Sequence, residues 1–107
     1  MCVISPDVID EAARLLVADG RPTRVILFGS YARGDAREGS DLDFVVVLPE
    51  VTSRLSEMVR LRGLLRPLRV LADVLVYSEE QVDEWGSVPG TVLFEALNEG
   101  RVLYAAA

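Results

Sequence analysis

The chain has 107 residues, a formal net charge of −6 at pH 7 and an apolar content of 50%. This length suits one domain, so we expect a single unit over residues 1–107 with no separate substrate domain. The acidic balance weakens attraction to phosphate backbones and anionic membranes, which argues against nucleic-acid and membrane partners. All 11 basic residues are Arg, so Schiff-base lysine chemistry and histidine acid/base or metal-binding roles are excluded.

The amino-terminal residues and the lone cysteine indicate the compartment. The stretch MCVISPDVIDEAARLL has no basic segment before an apolar core, unlike a signal peptide, and no apolar run approaches the length of a membrane span. Cys2 cannot form an intramolecular disulfide, and we expect it to behave as a small apolar residue. We therefore expect a soluble, cytoplasmic protein.

Helix and strand signals alternate along the first half of the chain. Ser5, followed by a proline and an acidic residue, predicts the start of a helix that runs to Gly20. The apolar runs at 23–29 and 42–50 are typical of strands, and each ends at a glycine or proline. Thr52 or Ser53 can begin the next helix.

The second half continues this alternation. The helix after residue 53 must stop before Pro67, and residues 69–78 form a third apolar strand. Ser78 with Gln81 fits a capping box for a short helix, and a last helix ends at Gly100, before a short extended tail. This order predicts an α/β (α+β) domain with a small mixed sheet of about three core strands flanked by helices.

Three aspartates stand where the strand pattern predicts apolar residues. Asp41 and Asp43 are two positions apart at the start of one strand, so their side chains point to the same face. Asp73 interrupts the middle of the third strand. Carboxylates held close together repel one another, so a cation between them is expected, and Mg²⁺ is the usual ion with such oxygen ligands.

Gly29 and Ser30 end the strand that precedes this pair and open a short helix. Glycine permits close approach of the backbone, and a helix start offers free N–H groups, so this step is a candidate phosphate site. Arg33, three residues further on, is a candidate for contacting phosphate, with a solvated surface charge as the alternative.

The order of these residues carries a resemblance. Gly29-Ser30, ten intervening residues, Asp41-Leu42-Asp43 and a later Asp73 resemble the nucleotidyltransferase superfamily that includes DNA polymerase beta and the kanamycin-type aminoglycoside nucleotidyltransferases. The stretch FGSYARGDAREGSDLDFVV is most similar to the minimal MNT branch, whose members are often antitoxins beside HEPN toxins. The resemblance implies a polymerase beta palm-like fold and a single minimal nucleotidyltransferase domain.

The resemblance also implies roles for the site residues. Asp41 and Asp43 match the pair that binds two Mg²⁺ ions, and Asp73 matches the third carboxylate, which holds the catalytic metal. Gly29 and Ser30 match the step that binds the triphosphate of ATP or another nucleoside triphosphate. The implied reaction is in-line attack of an acceptor hydroxyl on the α phosphorus, with pyrophosphate leaving.

Three functions remain open at this stage. The first is an enzyme that transfers AMP to a hydroxyl of a HEPN toxin and so acts as its antitoxin. The second is an antitoxin or regulatory subunit that only binds. The third is a small-molecule nucleotidyltransferase that needs a partner chain. The high apolar content favours an apolar interface, so we expect a homo- or hetero-oligomer.

Overall fold

A four-stranded mixed sheet forms the centre of the computed structural model, which describes residues 4–37 and 39–106. The strands are β1 (Arg24–Phe28), β2 (Leu42–Leu48), β3 (Ala72–Ser78) and β4 (Arg101–Ala105), and their order in the sheet is β3-β2-β1-β4. β1 pairs antiparallel with β2 and β4, whereas β2 pairs parallel with β3. The predicted α/β fold with a mixed sheet is confirmed, and the prediction for Cys2 lies outside the described residues.

Among the described residues, five α-helices flank the sheet: α1 (Pro6–Gly20), α2 (Ser30–Arg33), α3 (Arg54–Leu64), α4 (Glu79–Trp85) and α5 (Val92–Glu99). The hydroxyl of Ser5 caps α1, and Ser78 and Gln81 form the predicted capping box of α4. Ser53, not Thr52, caps α3. Local capping chemistry therefore sets most of the helix starts, as the sequence predicts.

Two predictions about the strands need correction. The residues after Gly100 are not a free tail, because they form β4, which pairs with β1 and makes the sheet four strands wide. The third strand begins at Ala72 and not at residue 69, because residues 66–68 form a 3₁₀ turn that ends at Arg69 with a φ of 54°. Asp73 is consequently the second residue of β3 and does not interrupt its middle.

β2 lies in the interior of the sheet and is buried on both faces. Phe44 and Val46 pack in the cluster that includes residues of α1 and α3, whereas Val45 and Val47 pack against residues of α4 and α5. A strand covered on both sides has an almost unbroken apolar sequence, which explains the LDFVVVL run. Asp43 lies on the same face as Val45 and Val47, at the end of the strand where this apolar cluster stops.

The helices of residues 4–37 and 39–106 are all too short or too polar to cross a membrane.

Candidate active site

Asp43 and Asp73 lie side by side on neighbouring strands. They are register partners in the parallel pairing of β2 with β3, where strands are about 4.8 Å apart. On the other side of β2, Asp43 is the register partner of Phe28, the last residue of β1. The strand pairing thus brings together two aspartates that are 30 positions apart in the sequence.

Gly29 contacts the carboxylate of Asp43. Gly29 follows β1 with a φ of 76°, a left-handed conformation that favours glycine. A Cβ on this residue would overlap Oδ2 of Asp43. The Asp43 carboxylate therefore contacts the backbone of Gly29 directly. Only glycine can adopt this backbone conformation and leave room for the carboxylate.

The electrostatics of the site centre on Asp43. Burial raises the pKa of its carboxyl above the ordinary value of 3.8, and the nearby negative charges of Asp73 and Asp41 raise it further. The guanidinium of Arg33 opposes this rise. Asp43 and Asp41 are half-buried and Asp73 is exposed, so the group is open to solvent on the Asp73 side.

The short helix α2 carries the predicted phosphate-binding residues to the same end of the sheet. Gly29 caps α2 and Ser30 is its first residue. Arg33, at its last position, is close enough to affect the charge state of Asp43, and its Nε lies 3.3 Å from Oδ2 of Asp35. The sequence-predicted site residues therefore surround the amino end of β2.

An apolar cavity of about 260 Å³ adjoins the aspartates. Asp43 and Asp73 line one side, and the remaining walls come from the sheet and from α3: Phe28, Val74, Leu75, Leu55, Met58, Val59 and Arg62. The α3 residues were not predicted as part of a site, because Met58 and its neighbours fit the core face of a helix. Exposed fractions of 70% for Leu55 and 65% for Val59 show that this helix also has an apolar surface away from the core.

The chemistry of the three aspartates suits a hard cation. Carboxylate oxygens are the ligands that Mg²⁺ prefers, and a cation would offset the repulsion that raises the pKa of Asp43. Within the described ranges, no group of three or more Asp, Glu, His or Cys side chains is arranged to hold a metal ion by itself. Mg²⁺ is commonly bound by one or two carboxylates together with waters and substrate phosphates.

The chain belongs to the nucleotidyltransferase domain family, whose family model matches residues 9–103. A protein of Methanocaldococcus jannaschii, named as a candidate protein adenylyltransferase, is 36% identical over 85 residues, which cover 79% of this chain and 81% of the relative. The predicted membership of the nucleotidyltransferase superfamily is thereby confirmed.

Solved structures share the fold. A candidate nucleotidyltransferase of Sulfolobus solfataricus has a TM-score of 0.60 at 19% identity, over 92% of this chain and 78% of that one. A mutant of the MntA–HpeT toxin–antitoxin pair has a TM-score of 0.64 at 16% identity, over 91% and 73% of the two chains. A toxin–antitoxin structure with AMP-PNP has a TM-score of 0.63 at 19% identity, with the same coverage of 91% and 73%.

Proposed function

We propose that this protein transfers a nucleoside monophosphate, AMP from ATP, to a hydroxyl of a partner protein. The observation that carries the proposal is the register pairing of Asp43 with Asp73, with the Asp43 carboxylate against Gly29, in a chain of the nucleotidyltransferase family. The Methanocaldococcus relative, named as a candidate protein adenylyltransferase, supports a protein as the acceptor.

Asp41, Asp43 and Asp73 would hold two Mg²⁺ ions. When bound, these ions would offset negative charge on the attacking and leaving oxygens of the transfer. The pKa of Asp43, raised by burial and by the other two aspartates, supports a cation as part of the working site. Mg²⁺ usually keeps oxygens from the substrate phosphates in its shell, so the triphosphate would supply the remaining ligands.

The other residues of the site position the substrates. The triphosphate binds to three groups: the backbone at Gly29, the hydroxyl of Ser30 and the guanidinium of Arg33. The acceptor hydroxyl approaches from the exposed side of the site, next to Asp73. Its oxygen forms a bond to the α phosphorus, the bond from that phosphorus to the β-phosphate oxygen breaks, pyrophosphate leaves, and Asp73 takes the hydroxyl proton.

We further propose that the partner is a HEPN-domain toxin and that residues 1–107 act as a minimal nucleotidyltransferase domain, the antitoxin of the pair. Two of the structures with this fold are toxin–antitoxin structures, which supports a protein partner of that kind. Exposed apolar side chains, among them Leu55, Val59 and Trp85, support a hetero-oligomer. The reaction would take place in the cytoplasm, where ATP and Mg²⁺ are present.

The test is to read the adjacent open reading frame for the proposed HEPN partner, to co-express the two proteins and to weigh the intact partner by mass spectrometry. We expect an adduct with the mass of a nucleotide, which disappears with Asp41→Ala and persists with Asp10→Ala, a carboxylate exposed on α1 and outside the site. The enzymatic proposal would be contradicted if the partner is neutralised without an adduct and the Asp41→Ala variant neutralises it as well as the unmodified protein does. That result would favour an antitoxin that only binds.

A further inference from the structure

A surface groove extends from the aspartates along α3. The cavity beside Asp43 and Asp73 shares Val59 and Arg62 with a second cavity of about 430 Å³. The second cavity is lined further by residues of α3, the 3₁₀ turn and the start of β3: Gly63, Leu65, Arg66, Val70, Leu71 and Ala72. We call the two cavities together the α3 groove. One of its ends is the candidate active site.

The α3 groove lies in the basic part of an acidic protein. Residues 54–69 contain five Arg and a single Glu, whereas residues 79–99 contain six carboxylates and no Arg. Arg60 pairs with Glu57 at 2.6 Å, but Arg62 and Arg66 form no ion pair with any residue that the structure describes. Both of these Arg line the second cavity, which has no carboxylate in its lining, so this part of the groove presents positive charge that the described part of the chain does not neutralise.

Two apolar side chains that line the α3 groove are exposed to solvent. Val59 and Leu71 are 65% and 67% exposed. Gly63 lies within α3, and a Cβ added to it would have no neighbour within 4 Å. Helical glycine lowers stability relative to alanine, and nothing in the described structure requires glycine here. A methyl group on Gly63 would project into the open space of the second cavity.

We infer that the α3 groove binds an acidic, apolar segment of the acceptor protein and directs its hydroxyl to the Asp73 side of the active site. Charge complementarity identifies the chemistry: Arg62 and Arg66, which pair with no carboxylate of residues 4–37 and 39–106, lie beside exposed Val and Leu and match a segment with Glu or Asp beside apolar side chains. Adjacency identifies the role, because the second cavity shares Val59 and Arg62 with the cavity that Asp43 and Asp73 line. This inference rests on the proposed function for the presence of a protein acceptor.

Two other occupants fit the groove less well. A nucleic acid would meet the Arg residues, but it would leave the apolar side chains unmatched, and the acidic chain would repel it. A second copy of this chain could offer the acidic residues 79–99, with Trp85 exposed among them. That copy would cover the side of Asp73 that the acceptor must reach.

The test measures fluorescence anisotropy with a labelled helical peptide of about fifteen residues, with Leu at every third or fourth position and Glu elsewhere. A second peptide carries Lys in place of each Glu. We expect the protein to bind the Glu peptide and not the Lys peptide. Arg66→Glu should weaken binding about tenfold, because attraction becomes repulsion. Gly63→Ala should raise the Tm and yet weaken binding, because the methyl group projects into the space that the peptide would occupy.

The matched control is Arg14→Glu, which makes the same charge change on α1, where Arg14 lies 3.3 Å from Glu11. Equal weakening by Arg14→Glu and Arg66→Glu would overturn the inference, since net charge alone would then explain binding. Equal binding of both peptides, or no binding of either, would also overturn the inference. Tighter binding of a uridine oligonucleotide, if Arg66→Glu abolishes it, would overturn the inference too. Self-association of the unmodified protein that Arg66→Glu abolishes would identify a second copy as the occupant and overturn it as well.

Peptide binding is measured without ATP or Mg²⁺, so it is independent of the transfer reaction. Peptide binding without any nucleotide transfer would contradict the proposed function and leave the groove as a protein-binding surface. Nucleotide transfer without selective peptide binding would leave the proposed function standing and remove the role of the groove.

Discussion

The carboxylate of Asp43 occupies the space that a side chain on Gly29 would need. Asp43 is a candidate metal ligand, and the backbone of Gly29 is a candidate phosphate-binding group. A single contact therefore joins the metal-binding and phosphate-binding parts of the candidate site. The left-handed conformation of Gly29 and the β1–β2 pairing of Phe28 with Asp43 together fix this contact.

Gly29→Ala is expected to remove nucleotide binding and transfer. The new methyl group would displace the Asp43 carboxylate, and the positive φ would add strain of about 1–3 kcal/mol. Isothermal titration with a nonhydrolysable ATP analogue and Mg²⁺, together with a thermal melt, measures both effects. The control is Gly90→Ala, between α4 and α5, where glycine has a φ of 90° but no atom within 4 Å of the added Cβ. If Gly90→Ala abolishes nucleotide binding equally, the effect of Gly29→Ala is not specific to the site.

Asp43→Asn is expected to abolish transfer and to raise the Tm of the metal-free protein at pH 7. The pKa of Asp43 is higher in the folded protein than its ordinary value of 3.8, so its ionised form costs stability at neutral pH. This cost is lost as the pH falls through the folded-state pKa towards 3.8. The gain in Tm from Asp43→Asn should therefore shrink between pH 7 and about pH 4. A variant that melts well below the unmodified protein at pH 7 would give Asp43 a structural role.

Mg²⁺ together with a nonhydrolysable triphosphate is expected to raise the Tm, because the folded chain alone assembles the aspartates and the Gly29 step. Saturation at about 100 times the dissociation constant corresponds to about 2.7 kcal/mol. Mg²⁺ alone should raise the Tm less, since phosphate oxygens complete its coordination shell. An unchanged Tm at saturating nucleotide and Mg²⁺ would count heavily against a nucleotide site.

Gly100→Ala is expected to destabilise the fold without altering the nucleotide site. An added Cβ would overlap the carbonyl oxygen of Ala96 and approach Ile26 Cγ2 to 2.7 Å, at the junction between α5 and β4. Overpacking of this kind costs about 1–3 kcal/mol. Urea denaturation measures the loss, and nucleotide titration below the transition should give the dissociation constant of the unmodified protein. A weaker nucleotide affinity would show that β4 supports the site through β1.

Local signals in the sequence predicted most of the helices and strands. The spacing between Gly29-Ser30 and the three aspartates predicted the fold family. Ser5, Ser53 and Ser78 act as caps through contacts within a few residues, so the sequence displays them directly. β4 was missed because RVLYA is a short edge strand whose partner, β1, lies more than 70 residues away. No local pattern distinguishes such a strand from an extended tail.

The aspartates could be predicted from the sequence because a charge within an apolar strand conflicts with the local pattern. The α3 side of the cavity could not, because Leu55 and Val59 are the residue types that a core helix also uses. Their exposure depends on where α3 lies relative to β3. Only the tertiary structure fixes that position.

Arg54 covers part of the free edge of the sheet. Its Nε donates a hydrogen bond of 2.8 Å to the carbonyl oxygen of Val76, and its guanidinium lies 4.6 Å from the ring centre of Tyr77. Val76 and Tyr77 belong to β3, an edge strand of the sheet, and unpaired carbonyls on such an edge can recruit strands from other molecules. A cation fixed against this edge opposes the addition of a fifth strand from a neighbour. Arg54 therefore covers part of the free edge of β3 and disfavours the pairing of a foreign strand there.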